Sequence, residues 1–164
     1  DLGTNRRLLI YGVHLKSNWG DRELNSEKSK SGLKILRADA EKTIENNPEN
    51  AWEIMVLGDM NTDPSLDAFR GDDSLEPLQG WIDLWRGQPK EQRITVPTRI
   101  GIPRLEFPGS AFDRFFVNTQ LVQPPWKVSE PRRLPLGVGR DVRLHPGEGR
   151  HVSDHYPIFI DITR

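Results

Sequence analysis

Residues 52–61 read Trp-Glu-Ile-Met-Val-Leu-Gly-Asp-Met-Asn. Trp52 to Leu57 is a short, apolar and partly β-branched run, the pattern of a buried strand. Gly58 to Pro64 (GDMNTDP) is rich in turn formers, so the strand passes directly into a loop. In extended backbone Asp59 and Asn61 project to the same side. A carboxylate and an amide on one face can hold a hard cation, or orient water and a phosphate oxygen. A plain turn also uses Gly, Asp and Asn, and the tetrapeptide alone leaves both readings open.

Three further strand ends carry similar chemistry. Arg7 to Val13 is an apolar run that ends at His14-Leu15-Lys16-Ser17. His14 and Lys16 share a face; an imidazole suits general acid or base work near neutral pH, and Lys is a point charge for phosphate. Asp113 sits in the apolar run Phe112 to Val117. A carboxylate there is costly to bury without a partner. An ion pair to Arg114 or Arg99 would satisfy it; so would a hydrogen bond from a His whose ring it orients. Ser153-Asp154-His155-Tyr156-Pro157 leads into the last apolar run, Ile158 to Ile162. Asp154 can ligate a metal and His155 can hydrogen-bond a phosphate oxygen. Each cluster taken singly is also an ordinary polar strand end. Together, carboxylates, an amide, two histidines and a lysine suit divalent-metal-assisted hydrolysis of a phosphate ester.

The remaining chain supports a folded α+β protein. From Ser31 the apolar positions Leu33, Leu36, Ala40 and Ile44 recur at helical spacing, and Asn46-Asn47-Pro48 stops that helix. Asn18 to Lys30 is polar and reads as a loop or a frayed helix start. Ser65 to Phe69 is a single helical turn, and Gly80 to Arg86 a short apolar element. Ile94 to Arg99 reads as a strand interrupted by Pro97. Residues 123–152 form a long connection rich in Pro, Gly and Arg. Its Lys127, Arg132, Arg133, Arg140, Arg143 and Arg150 could grip a polyanion or simply form a solvated loop. Trp19, Trp52, Trp81, Trp85 and Trp126 have no regular spacing, so packing is their default role.

The chain has 164 residues, with 23 Lys and Arg against 24 Asp and Glu, a formal charge of −1. A globally basic nucleic-acid binder is disfavoured, though a local patch is not. With no cysteine, disulfides, Cys-ligated zinc, iron–sulfur clusters and thiol nucleophiles are excluded. No stretch approaches the ~20 apolar residues of a membrane span, and no signal peptide opens the sequence. A soluble protein is expected, its compartment left open.

Taken in order, VHLKS (13–17), GDMN (58–61), FDRFFV (112–117) and SDHYP (153–157) resemble the endonuclease/exonuclease/phosphatase superfamily. The stretch WIDLWR (81–86) followed by Thr98 looks like the Asp and Thr run that family has between the second and third motifs. The resemblance implies part of a DNase I-like α/β/β/α sandwich with mainly antiparallel sheet. It implies that His14 is a general acid or base, that Asp59 orients or activates the attacking water, and that Asn61 contacts the phosphate and the metal shell. Asp154 would be a metal ligand for Mg²⁺ or Mn²⁺. His155, hydrogen-bonded to Asp113, would stabilise phosphate charge, and Lys16 would add a phosphate contact. The family's N-terminal motifs, an Asn and a metal-binding Glu, are absent. Residues 1–164 therefore read as the C-terminal half of such an enzyme, whose missing N-terminal half would be its partner. The substrate could be a nucleic acid, a lipid or an inositol phosphate. The alternative is a non-catalytic remnant or interaction module.

Overall fold

The computed structural model describes residues 5–100, 106–134 and 153–164. β1 (Arg6–His14), α1 (Arg22–Asn46) and β2 (Ala51–Asp59) open the fold. Two 3₁₀ turns, Asp67–Phe69 and Glu76–Leu78, lead to β3 (Ile82–Asp83). The one-turn helix α2 (Lys90–Arg93) and the pair β4 (Arg99–Ile100) and β5 (Glu106–Phe107) precede β6 (Asp113–Val117). β7 (Lys127–Val128) and β8 (Arg132–Arg133) then pair with β10 (Ile162–Thr163) and β9 (Ile158–Phe159).

The main sheet has the order β1-β2-β6-β3. β1 and β2 are parallel, which requires a crossover, and α1 supplies it. Every other strand pairing among the described residues is antiparallel. Alternation along β2 and β6 divides the core between the two faces of the sheet. On one face Val56 and Phe116 pack with Leu33 of α1, Met60 and Leu78. On the other, Met55, Phe115 and Val117 pack with Leu121 and Trp126, and with partly buried Ile158, Ile160 and Ile162. Burial on both faces explains why residues 54–57 read as a continuous apolar run rather than an alternating one. The layers are thus helix, main sheet, and small antiparallel pairs: the α+β class expected.

Gly58 has φ +132°, and a Cβ there would lie 2.0 Å from the carbonyl oxygen of Val13. Only glycine allows β1 and β2 to approach so closely where they end.

Several local expectations need correction. Helix α1 begins at Arg22, not Ser31. Asp21 caps it by accepting the Leu24 N–H at 3.0 Å. The inward positions of its first turns are Asn25 and Ser29, polar residues that an apolar-periodicity search passes over. Ile44, assigned to the apolar face, is exposed. The closing run 158–162 is two short strands with different partners, not one strand. Around Pro97, Val96 forms only an isolated bridge to Ser110 before β4 begins. Of the connection 123–152, residues 123–134 hold β7 and β8, while 135–152, including Arg140, Arg143 and Arg150, lie outside the described residues. Trp19, expected to pack, is 80% exposed. Among the described residues no helix is long and apolar enough to cross a membrane.

Candidate active site

Strand register assembles the site. His14 is the Cα partner of Asp59 across β1 and β2, and Asp59 is the partner of Asp113 across β2 and β6. Residues directly opposite one another present their side chains on one face. Counting back by twos from Asp59 and Asp113 gives Leu57, Met55, Phe115 and Val117, so the row lies on the face covered by 158–162. The segment before that cover delivers His155. Its Nδ1 stands 2.8 Å from Asp113 Oδ2, and its Nε2 is 3.9 Å from Asp59 Oδ2 and 4.0 Å from Asp154 Oδ1. His14 Nε2 approaches Asp59 Oδ2 from the other side at 3.5 Å.

Asn61 shapes the loop beyond β2. It takes a left-handed conformation, φ +49°, which Asn tolerates better than most residues. Its N–H donates to Asp59 Oδ1 at 2.8 Å, and its Nδ2 to the Leu15 carbonyl at 3.0 Å. Asn18 Nδ2 returns a bond to the Asn61 carbonyl. Lys16 stands apart from the carboxylates. Its Nζ donates to Ser17 Oγ at 3.2 Å, and with Asn18, Asn61 and the α1 residues Arg22, Asn25 and Ser26 it lines a small recess.

Thr95 and Trp85 position the row, a role that no motif in the sequence marks. Thr95 is fully buried. Its Oγ1 accepts the Asp113 N–H at 3.0 Å, and its carbonyl accepts the Tyr156 N–H at 2.7 Å. One residue thereby fixes both sides of the Asp113–His155 contact. Trp85 Nε1 donates to the Asp113 carbonyl at 2.9 Å. Arg133 supports the same region: it donates to the Ile94 carbonyl at 2.8 Å and lies over the Tyr156 ring. Arg132 pairs with Asp161 and lies over Phe159. These two arginines, read as part of a polyanion grip, have structural partners. Thr98 accepts the Gly109 N–H instead of touching the row.

The electrostatics follow from this geometry. Burial pushes the Asp59 carboxyl above the ordinary carboxylate range, with the nearby Asp113 adding to it; the Asn61 N–H and the two imidazoles oppose the shift without cancelling it. The hydrogen bond to Asp113 raises the His155 imidazole above its ordinary range, against burial, which works the other way. Asp113 therefore favours an imidazolium facing Asp59.

Asp154 and the Asn61 amide oxygen are hard donors of the kind Mg²⁺ or Mn²⁺ takes. Among the described residues, however, no group of three acidic or imidazole side chains stands close enough to hold an ion.

This architecture is similar in fold to solved proteins of the endonuclease/exonuclease/phosphatase family. A protein of that family from Bacteroides thetaiotaomicron superposes with a TM-score of 0.50 at 15% identity, over 93% of this chain and 47% of that one. More particularly, the chain is similar to TDP2 of D. rerio. The TDP2 structure complexed with single strand DNA product gives a TM-score of 0.58 at 19% identity, covering 94% of this chain and 56% of that one. A humanized D. rerio TDP2 gives 0.56 at 20%, covering 96% and 55%. A mannosyl-6-phosphatase of B. thetaiotaomicron gives 0.50 at 16%, covering 94% and 51%. At these identities the likeness is one of fold. The chain spans about half the length of the solved structures it matches. No protein-family model and no curated protein matches it.

Proposed function

We infer that this chain carries phosphate-ester hydrolysis, acting as part of a longer enzyme of the fold it shares. The observation that supports this reading is the row His14, Asp59 and Asp113, closed by His155. Asp59, flanked by both imidazoles, holds the attacking water and takes its proton as the new P–O bond forms. Its raised basicity suits that task near neutral pH. His155, kept cationic by Asp113, donates from Nε2 to a phosphoryl oxygen, a charge-assisted bond that strengthens as charge develops. His14 passes a proton to the leaving oxygen as the old P–O bond breaks. Lys16 and Asn61 contact the phosphate. Asp154 and Asn61 are the oxygen donors this chain would bring to Mg²⁺ or Mn²⁺, an ion that, when bound, polarises phosphoryl oxygens. Of the substrate classes, nucleic acid is favoured, because one TDP2 of similar fold is complexed with single strand DNA product.

The test is hydrolysis of an activated phosphodiester by the full-length protein with Mg²⁺ or Mn²⁺. Loss of His155 as a charge-stabilising donor lowers kcat by about 10²–10³. Unchanged rates in both His155→Ala and Asp154→Asn overturn the assignment. Calorimetric titration with Mn²⁺ alone checks the metal separately: Asp154→Asn binds it more weakly if Asp154 is a ligand.

A further inference from the structure

Among the described residues Trp19 has no packing role to explain it. It is 80% exposed, whereas Trp85 and Trp126 are buried and Trp52 and Trp81 half-buried. A tryptophan offers more apolar surface for burial than almost any other side chain, and this one leaves most of it in water. Its backbone is nevertheless held firmly. The buried Asn25 amide donates to the Trp19 carbonyl at 2.8 Å, and the preceding Asn18 is bonded to the carbonyl of Asn61. The indole therefore stands on a fixed base one residue from a contact with the catalytic loop. Cations flank it in sequence: Lys16 and Arg22 line one recess together with Asn61. An exposed π face, close in sequence to two cations that line a recess with Asn61, one of them (Arg22) also lying over the Phe69 ring, is a combination suited to single-stranded nucleic acid.

We propose that Trp19 is a stacking platform for a nucleobase next to the phosphate held at Asn61, with Lys16 and Arg22 meeting the neighbouring phosphates. This rests on the phosphate-ester reading and deepens it by naming the residue that would hold a base. Trp19 is a specificity residue for the base, and the chemistry at phosphorus does not involve it.

The experiment compares the full-length protein with Trp19→Ala and Trp19→Phe, on a single-stranded oligodeoxynucleotide and on an abasic strand of equal length. Loss of one stacked base weakens binding by about tenfold. Trp19→Ala is therefore expected to lower the kcat/KM preference for base-bearing over abasic strand by about that factor, through KM, and Trp19→Phe to restore part of it. An unchanged preference overturns the proposal. Indole fluorescence gives a readout independent of turnover. The oligodeoxynucleotide should quench wild type more than Trp19→Phe even if neither strand is hydrolysed, in which case the hydrolytic reading fails and the platform stands. Equal quenching in both proteins, or equal quenching by a phosphorylated hexose, overturns the nucleobase assignment.

Discussion

Asp113 and Arg114 are consecutive residues of β6, and the strand's pleat sends them to opposite faces of the sheet. The Arg114 guanidinium is almost fully buried. Its Nε donates to the Ala111 carbonyl at 2.9 Å, Nη1 pairs with Asp83, and Nη2 reaches Asp63 at 3.4 Å. Asp63 in turn accepts the N–H groups of Ala111 and Ser65. All three guanidinium nitrogens have acceptors and both carboxylates also accept backbone N–H groups, so this cluster stores rigidity. Across the strand, Asp113 has one imidazole, and a second carboxylate lies opposite it with its acidity weakened by burial. There the compensation is incomplete, and incomplete compensation is what leaves protons free to move. The same strand thus carries a structural ion cluster on one face and, on the other, the cluster to which we assign the chemistry.

Breaking the first cluster should produce the largest effect. Arg114→Met leaves Asp63 and Asp83 without their cation, and removing one partner from a buried pair costs about 3–5 kcal/mol. The urea midpoint of unfolding should fall accordingly; a fall of less than about 1 kcal/mol, the worth of an exposed pair, would mean the cluster is hydrated. Thr95→Val is the next largest. It strips the acceptor from the Asp113 N–H in a fully buried position, at about 1–3 kcal/mol. It should also lower kcat, because the carboxylate that orients His155 loses its anchor. If stability falls and kcat does not, Thr95 has a packing role alone.

The two clusters differed in how far they could be read from sequence. The four chemical strand ends were legible because each places polar groups directly after an apolar run, but the extended backbone expected to align Asp59 with Asn61 stops at Asp59, and Asn61 is left-handed. The penalty on an unpaired carboxylate in an apolar strand required a partner for Asp113, arginine or histidine, and only the family resemblance pointed to His155, which the structure places there. Arg114 was visible only as a neighbour that might neutralise Asp113. Its true partners lie 31 and 51 residues away in sequence, and only tertiary register brings them there. Thr95 was hidden for another reason. Part of its work is done through a main-chain carbonyl, which any residue type supplies. The start of α1 was missed because Asn25 and Ser29 face inward as hydrogen-bonding groups, so the inward stripe is not apolar there.

The cluster around Asp113 should answer to pH. His155 has a folded-state pKa above its unfolded value of about 6.5. Its pairing with Asp113 therefore contributes stability that is fully present below about pH 6.5 and is lost as pH rises through the higher folded value. The difference in urea midpoint between wild type and Asp113→Asn should be widest near pH 6 and narrow steadily above it. A constant gap up to pH 9 would assign the contact to a neutral hydrogen bond.

Asp59 gives the smallest effect and the sharpest contrast with Arg114. Its folded pKa is also raised, here mainly by burial. Its contribution is present below its unfolded value, near 3.8, and is lost as pH rises through the folded one, so the ionised carboxylate costs stability at pH 7. Asp59→Asn removes that charge while its amide oxygen can still accept the Asn61 N–H. The variant should unfold at a higher urea concentration than wild type at pH 7 and at an unchanged one near pH 3, where both side chains are neutral. Hydrolysis should fall in the same variant, because the water loses its base. A gain in stability with a loss of activity is the mark of a group held in place for chemistry rather than for folding. A lower midpoint at pH 7 would mean that the two imidazoles more than repay the burial of Asp59, and would place it with Arg114 among the structural charges.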